Sequence, residues 1–197
     1  PYIKRSRSYN YEVNDDETYL PNQHYRYELS ENTYDSYGNL TLNINRTYDQ
    51  ANALIKTLTT NNVYNDDVAN WELGRLDTST VTHDDHNGTA ITRKSEFVYD
   101  SVGRLWKEVV EPDSVDHRVT TTYGRGGYGN VTSESVAYAY RNLSGTLVNE
   151  TRTTTYGFDS LGRYATSVTN PKGHTATSEF NKAGYGLPTK SFDVNHV

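Results

Sequence analysis

Tyr99-Asp100-Ser101-Val102-Gly103-Arg104-Leu105 is the stretch that decides the fold, because it returns at intervals along a chain of 197 residues. Tyr34-Asp35-Ser36-Tyr37-Gly38-Asn39-Leu40 repeats it as aromatic, Asp, two variable residues, Gly, a polar residue and an aliphatic one. Phe158-Asp159-Ser160-Leu161-Gly162-Arg163-Tyr164 keeps the pattern with Phe for the leading Tyr. Each copy leads into alternating apolar and polar positions, the period of a strand. An Asp side chain accepts a hydrogen bond from a backbone N–H two residues on, and Gly supplies the left-handed conformation that a reversing chain needs. The stretch therefore reads as a hairpin tip, its ring and its aliphatic residue facing each other across two strands.

Looser copies extend the pattern. Tyr48-Asp49-Gln50-Ala51-Asn52-Ala53-Leu54 places Asn52 at the Gly position, and Asn tolerates the left-handed conformation next best. Trp71-Glu72-Leu73-Gly74-Arg75-Leu76 keeps the Gly-Arg-Leu exit with a shortened entrance, and Tyr123 to Val131, with Gly129 as its turn glycine, reads as a tip lengthened by two residues. Phe180-Asn181-Lys182-Ala183-Gly184 follows, and Phe192-Asp193-Val194-Asn195 begins a copy that the end of the chain interrupts. Internal repetition decides architecture before any other feature. The expectation is one array over 1–197, with recognisable repeats in 34–197 and less regular Tyr-rich strands in 1–33. The rings Tyr34, Tyr48, Tyr99, Tyr123 and Phe158 are expected to stack in register along the sheet. A chain that starts at Pro1 and stops inside a repeat is expected to be a piece of a longer protein.

Composition supports a thin sheet. Hydrophobic residues make up 34% and Tyr alone accounts for 18 residues, so the aliphatic content is low for a compact globule. Disorder is excluded by the modest net charge of −6, the 12% aromatic content and the period-two patterning. With no Cys, disulfides, thiolate ligands and Cys nucleophiles are excluded. No apolar run approaches the roughly 20 residues of a membrane span. No stretch of ten residues shows the apolar i, i+3, i+4, i+7 spacing of a helix, so the class is all-β. The longest strands are expected in Val131–Tyr140 and Thr146–Tyr156, with Asn87-Gly88 as a hairpin signal after a Thr-rich strand.

Candidate chemistry is sparse. Gly124-Arg125-Gly126-Gly127-Tyr128-Gly129 matches the dinucleotide spacing, but that fingerprint needs a helix next and Val131 opens a strand. His83-Asp84-Asp85-His86 offers four potential metal ligands, yet a hairpin tip sends alternate side chains to opposite sides, which favours solvated turn residues. Asp15-Asp16-Glu17 and Asp66-Asp67 lack the spacing of a calcium loop. Glu108, Glu111, Asp113 and Asp116 flank a proline turn, and no nucleophile, base and orienting group occur together, so no catalytic, cofactor or metal residue is assigned. Lys4-Arg5-Ser6-Arg7 is too small a basic patch for nucleic acid in an acidic chain.

The recurring Tyr-Asp-x-x-Gly-Arg/Asn-Leu resembles the RHS or YD-repeat family over most of the chain from about Tyr25 onward. The Pro-containing turns Glu111-Pro112-Asp113-Ser114 and Asn170-Pro171-Lys172-Gly173 fit the same likeness. The resemblance implies a strip of antiparallel β-hairpins forming a curved, spiralling sheet, part of a larger shell around a toxin or other polypeptide cargo. It also implies a secreted or exported, non-enzymatic protein, whose partners are the rest of the shell and the enclosed toxin. The chain departs from a complete member in being too short to close a shell and in lacking an Asp-Pro-x-Gly-Leu segment. Its repeat-motif residues by this likeness are Tyr34, Asp35, Gly38, Tyr48, Asp49, Trp71, Gly74, Tyr99, Asp100, Gly103, Tyr123, Gly129, Phe158, Asp159, Gly162, Phe180 and Gly184. The alternative is a carbohydrate-binding or adhesion module, since an exposed ring offers sugars an apolar face and a hydroxyl. Tyr25, Tyr27, Tyr138 and Tyr140 are the candidate glycan contacts, with cell-surface glycans as partners.

Overall fold

A computed structural model describes residues 2–13, 19–181, Ala183 and 185–195, with the backbone alone described for 12, 13 and 19–25. The described residues contain strands and turns and no helix, so no helix is long and apolar enough to cross a membrane. Two compact units divide the chain, Pro1–Glu96 and Phe97–Val197, and the boundary falls within a strand.

The first unit contains β1 (Arg5–Val13), β2 (Tyr19–Tyr34), β3 (Leu40–Asp49), β4 (Leu54–Tyr64), β5 (Leu76–Asp84) and most of β6 (Ile91–Tyr99). Each pairs antiparallel with its neighbours in sequence. The second unit holds β7 (Leu105–Val110), β8 (Val119–Arg125), β9 (Val131–Arg141), β10 (Leu147–Phe158), β11 (Ala165–Thr169), β12 (Thr175–Phe180) and β13 (Pro188–Phe192). It too is an antiparallel meander in chain order. The class is all-β, a succession of antiparallel hairpins. The longest strand is β2 with 16 residues, ahead of β10 with 12, and its pairing with β1 shifts register between Asn10 and Tyr11 and between Tyr11 and Val13.

Alternation along the strands gives each sheet two unlike faces. In the first unit Tyr9, Tyr27 and Tyr48 lie in one cross-strand row, beside the row Arg7, Leu29, Arg46 and Thr57. Arg46 ion-pairs with Glu31 on that face. The opposite face is an amide ladder in which Asn43 Nδ2 donates to Asn32 Oδ1 at 2.6 Å and to Ser30 Oγ at 3.0 Å, and Asn45 Nδ2 donates to Asn43 Oδ1 at 2.7 Å. In the second unit one face carries the rows Val110, Val119, Tyr138 and Glu150, then Glu108, Thr121, Val136 and Arg152. The other carries small and hydroxyl-bearing residues through the middle of β8 to β10, with Thr122, Ser135 and Thr153 in one row.

Burial is slight, as a single layer dictates: with no second layer to cover a face, a side chain is shielded only by its cross-strand neighbours. Among the described residues the buried apolar side chains are Leu29 and Val109, at 6% and 8% exposure, with Thr47 and Asp159 as buried polar ones. Stability therefore rests on the hydrogen-bond ladder, on cross-strand pairs and on the turns.

Candidate functional site

The turns form a repeated device. At Asp35, Asp100 and Asn142 the first residue's N–H donates to the carbonyl of the residue four further on, and the glycine between returns an N–H to the first residue's carbonyl. The side-chain oxygen of the first residue takes two more amides. Asp100 Oδ1 accepts from Val102 N at 3.1 Å and Arg104 N at 2.9 Å, and Asp100 Oδ2 meets Arg104 Nε at 2.8 Å. Asn142 and Asn170 accept the same pair of amides. The fourth residue lies at φ between +66° and +90° in Gly38, Gly103, Gly129, Gly145, Gly162 and Gly173, and at +64° in Asn52. A β-carbon is disfavoured in that region, which is why Gly or Asn stands there.

These bonds favour the ionised Asp. The backbone amide of Arg104 holds the Asp100 carboxyl below its ordinary range against partial desolvation, and Arg104's side chain adds to it. For Asp35 desolvation pushes upward, but the amide and side chain of Asn39 and the amide of Tyr37 outweigh it, so the carboxyl is again lowered. Asp159 is nearly enclosed and accepts from Arg163 N at 2.6 Å and Tyr164 N at 3.2 Å, its turn closing one residue later on Tyr164 O.

The strands' alternating direction gives each unit two rims, and they differ. On one rim, side chains from one turn cover the glycine of the next turn. Tyr2 lies over Gly38, and Asn39 Oδ1 would stand 3.1 Å from a β-carbon on Gly74. In the second unit Arg104 Nη1 would stand 2.9 Å from a β-carbon on Gly129, the Tyr128 ring 2.6 Å from one on Gly162, and Tyr164 covers Gly186. On the opposite rim nothing lies within 4 Å of such an atom at Gly145 or Gly173.

Carbonyl tethers reinforce the covered rim. Asn32 Nδ2 and Tyr34 Oη both donate to Ile3 O, at 2.9 and 3.1 Å, and Asn62 Nδ2 and Tyr64 Oη repeat the pair on Leu40 O at the same distances. In the second unit Arg125 Nη2 donates to Leu105 O at 2.9 Å, Tyr128 Oη to Ser160 O at 3.3 Å, and Asn130 Nδ2 to Gly162 O.

Several motif residues stand elsewhere than the sequence reading puts them. Tyr48 belongs to the rim opposite Tyr34, because each strand reverses the chain, so the leading rings do not form one stack. Tyr48 stacks instead on Tyr27, centroids 4.6 Å apart and planes 9° apart, while Tyr34 stacks on Tyr2 at 4.9 Å. Trp71 is 76% exposed at the tip of the long β4–β5 connection, and the anchoring ring there is Tyr64. The Tyr123 tip is not lengthened: β8 runs to Arg125, and Gly126 to Asn130 form a turn of ordinary length with Gly126 in the Asp position. Arg125 thus takes the place of the ring. The last described turn closes Asn181 on Leu187 with Gly186 at φ +70°; Gly184 lies outside the described residues, as do Asp15, Asp16 and Glu17. In the β5–β6 connection the left-handed residue is His86 at φ +61°, not the Asn87-Gly88 pair.

The spacing Asn-x-Tyr, in Asn32-Thr33-Tyr34 and Asn62-Val63-Tyr64, is the sequence signal that marks Tyr64. The spacing Asn-x-x-Gly, in Asn142 to Gly145 and Asn170 to Gly173, is the signal that marks these two as Asp equivalents. Tyr2, Tyr128 and Tyr164 carry no local signal, since they act on a neighbouring turn.

The remaining candidates resolve simply. His86 Nε2 lies 3.0 Å from Thr57 Oγ1 and Nδ1 3.5 Å from Asp84, and among the described residues no three His, Asp or Glu side chains gather to hold a metal. Of the glycan candidates, the Tyr27 ring meets both Tyr48 and Tyr9, with the Arg7 guanidinium 5.1 Å from its centroid. Tyr138 and Tyr140 are tilted by 39° rather than coplanar, and Arg152 lies 5.6 Å from the Tyr138 centroid. The Tyr25 side chain lies outside the described residues. No protein-family model matches the chain, and no curated protein matches it either.

Proposed function

We propose that the chain is a wall segment of an RHS or YD-repeat shell that encloses a polypeptide cargo, a structural and non-catalytic role in a secreted or exported protein. The observation that carries this reading is the combination of two bare faces with one interlocked rim. A single layer with two buried apolar side chains described has no interior of its own, so its faces are available to what lies on either side. Within each unit the covered turns fix one hairpin to another through side chains, so a layer can extend without a core, as repeat architectures do. The 197 residues contain no cysteine, so single thiols introduced here give a direct test in the full-length gene product once any cysteine outside them is replaced by serine. Thr153→Cys and Arg152→Cys place single thiols on opposite faces of β10. Maleimide labelling should be fast on one face and at least about tenfold slower on the other, the side that cargo covers; equal rates on both would refute the reading. The glycan-binding alternative is supported less well, because the ring faces of Tyr27 and Tyr138 are occupied by other rings or by a guanidinium.

A further inference from the structure

Where β8, β9 and β10 meet the covered rim of the second unit, a cavity of about 290 Å³ is lined by Tyr123, Asn130, Val131, Glu134, Tyr156 and Phe158. Tyr123 stands directly opposite Glu134, Glu134 opposite Thr154, and Tyr156 two residues further along the same face. The Tyr156 hydroxyl lies 3.3 Å from Glu134 Oε2. Glu108, opposite Thr121, is diagonal to Tyr123 on that face. Burial, then the charges of Glu108 and Glu134, raise the Tyr123 hydroxyl above its ordinary range, so two carboxylates act on one spot.

The charges here are unbalanced. Glu31, Glu72, Glu96, Glu150 and Glu179 each meet an Arg or Lys, whereas neither Glu134 nor Glu108 has an ion-pair partner among the described residues. The cation acting on the site is Arg125, whose Nη1 and Nη2 are engaged by the carbonyls of Gly129 and Leu105. Three aromatic rings and a half-buried carboxylate in no ion pair among the described residues define what would fit: ring faces attract a cation, and a carboxylate takes a charge-assisted N–H bond.

We propose that this cavity receives a primary ammonium group on an aliphatic stem, such as a lysine side chain of a polypeptide partner. The ammonium meets Glu134 and the rings of Tyr123 and Tyr156, and the stem packs on Val131 and Phe158. An amide or hydroxyl ligand leaves Glu134 without a counter-charge. This goes beyond the wall reading and stands apart from it, since its test uses a small probe on the 197-residue chain with no cargo present.

The test uses the 197-residue chain with Nα-acetyl-lysine amide as probe and its Nε-acetylated form as the uncharged control, titrated by NMR at constant ionic strength and neutral pH. The charged probe should shift the amides of Asn130, Val131, Glu134, Tyr156 and Phe158. The acetylated control and the Glu134→Gln variant should each bind about tenfold more weakly, the scale of losing one charge-assisted contact. Gln retains an acceptor for the Tyr156 hydroxyl, and circular dichroism checks the fold of the variant. Equal binding of the two probes, shifts that map away from these residues, or full binding by a folded Glu134→Gln chain would each overturn the proposal. The wild-type mapping decides the matter even where the variant does not fold.

Discussion

Replacing Gly162 by Ala tests the interlocked rim directly. Two separate costs fall on this position. At φ +66° the backbone is left-handed, which costs a residue with a β-carbon roughly 1–2 kcal/mol. The new β-carbon would also lie 2.6 Å from Tyr128 Cδ2 and 2.8 Å from both Cγ and Cβ. Because Tyr128 Cβ is itself in the way, rotating the ring does not clear the clash, and overpacking of this kind costs about 1–3 kcal/mol more. Gly145 supplies the control: its φ is +77°, but nothing lies within 4 Å of the corresponding atom. Gly145→Ala should therefore lose about 1–2 kcal/mol and Gly162→Ala about 2–5 kcal/mol. Urea unfolding followed by circular dichroism at neutral pH measures both. In the double variant Gly162→Ala with Tyr128→Gly the clashing atoms, Cβ included, are gone, and the glycine replacement, measured against Tyr128→Gly alone, should cost no more than it does at Gly145. Equal losses for the two single glycine variants, or no relief in the double variant, would refute the claim that one turn's side chain braces the next.

Further outcomes follow from the same geometry. Asp100→Asn should lower the melting temperature less than Asp100→Ala, because Asn142 and Asn170 show that an amide oxygen accepts the same two backbone N–H groups. The folded-state carboxyls of Asp35, Asp67 and Asp100 are lowered from 3.8, so their contribution is present above that value and lost as pH falls through their folded values. Melting temperature recorded from neutral pH downward should hold until about pH 4 and then drop, and a triple Asp→Asn variant should show a shallower drop. Leu29→Ala should cost about 2 kcal/mol in urea unfolding, the low end for a buried Leu since only one layer surrounds it. Tyr27→Ala removes a ring that contacts both Tyr9 and Tyr48, and should cost about 2 kcal/mol, more than Tyr140→Ala, whose ring is exposed and tilted from its one described partner.

The hairpin tips were legible because everything that makes them is local. Asp100, Gly103 and Arg104 lie within five residues, and their bonds close on one another. The identity of the ring that anchors each turn was legible only where ring and turn are adjacent, as at Tyr34. It was missed at Tyr64, where an eleven-residue excursion separates strand end from strand start and Trp71 offers a more conspicuous ring. Arg125 was missed because a guanidinium reaching Leu105 O serves where an aromatic was expected. The cavity at Tyr123, Glu134 and Tyr156 was not legible at all, since its members come from three strands.

From its amino acids alone the chain declares antiparallel hairpins: two-residue alternation sets the strands, and an Asx oxygen with a left-handed partner sets each reversal, both within a few residues. Tertiary structure alone decided which turns touch. Adjacent strands run in opposite directions, so consecutive reversals fall on opposite rims, and a turn's neighbour in space is the second turn along in sequence. That is why Tyr128 meets Gly162 and Tyr164 meets Gly186 while Tyr48 never joins Tyr34. It is also why side chains cover the turn glycines of one rim and leave Gly145 and Gly173 uncovered on the other, where the Arg141–Asp116 ion pair joins neighbouring turns instead.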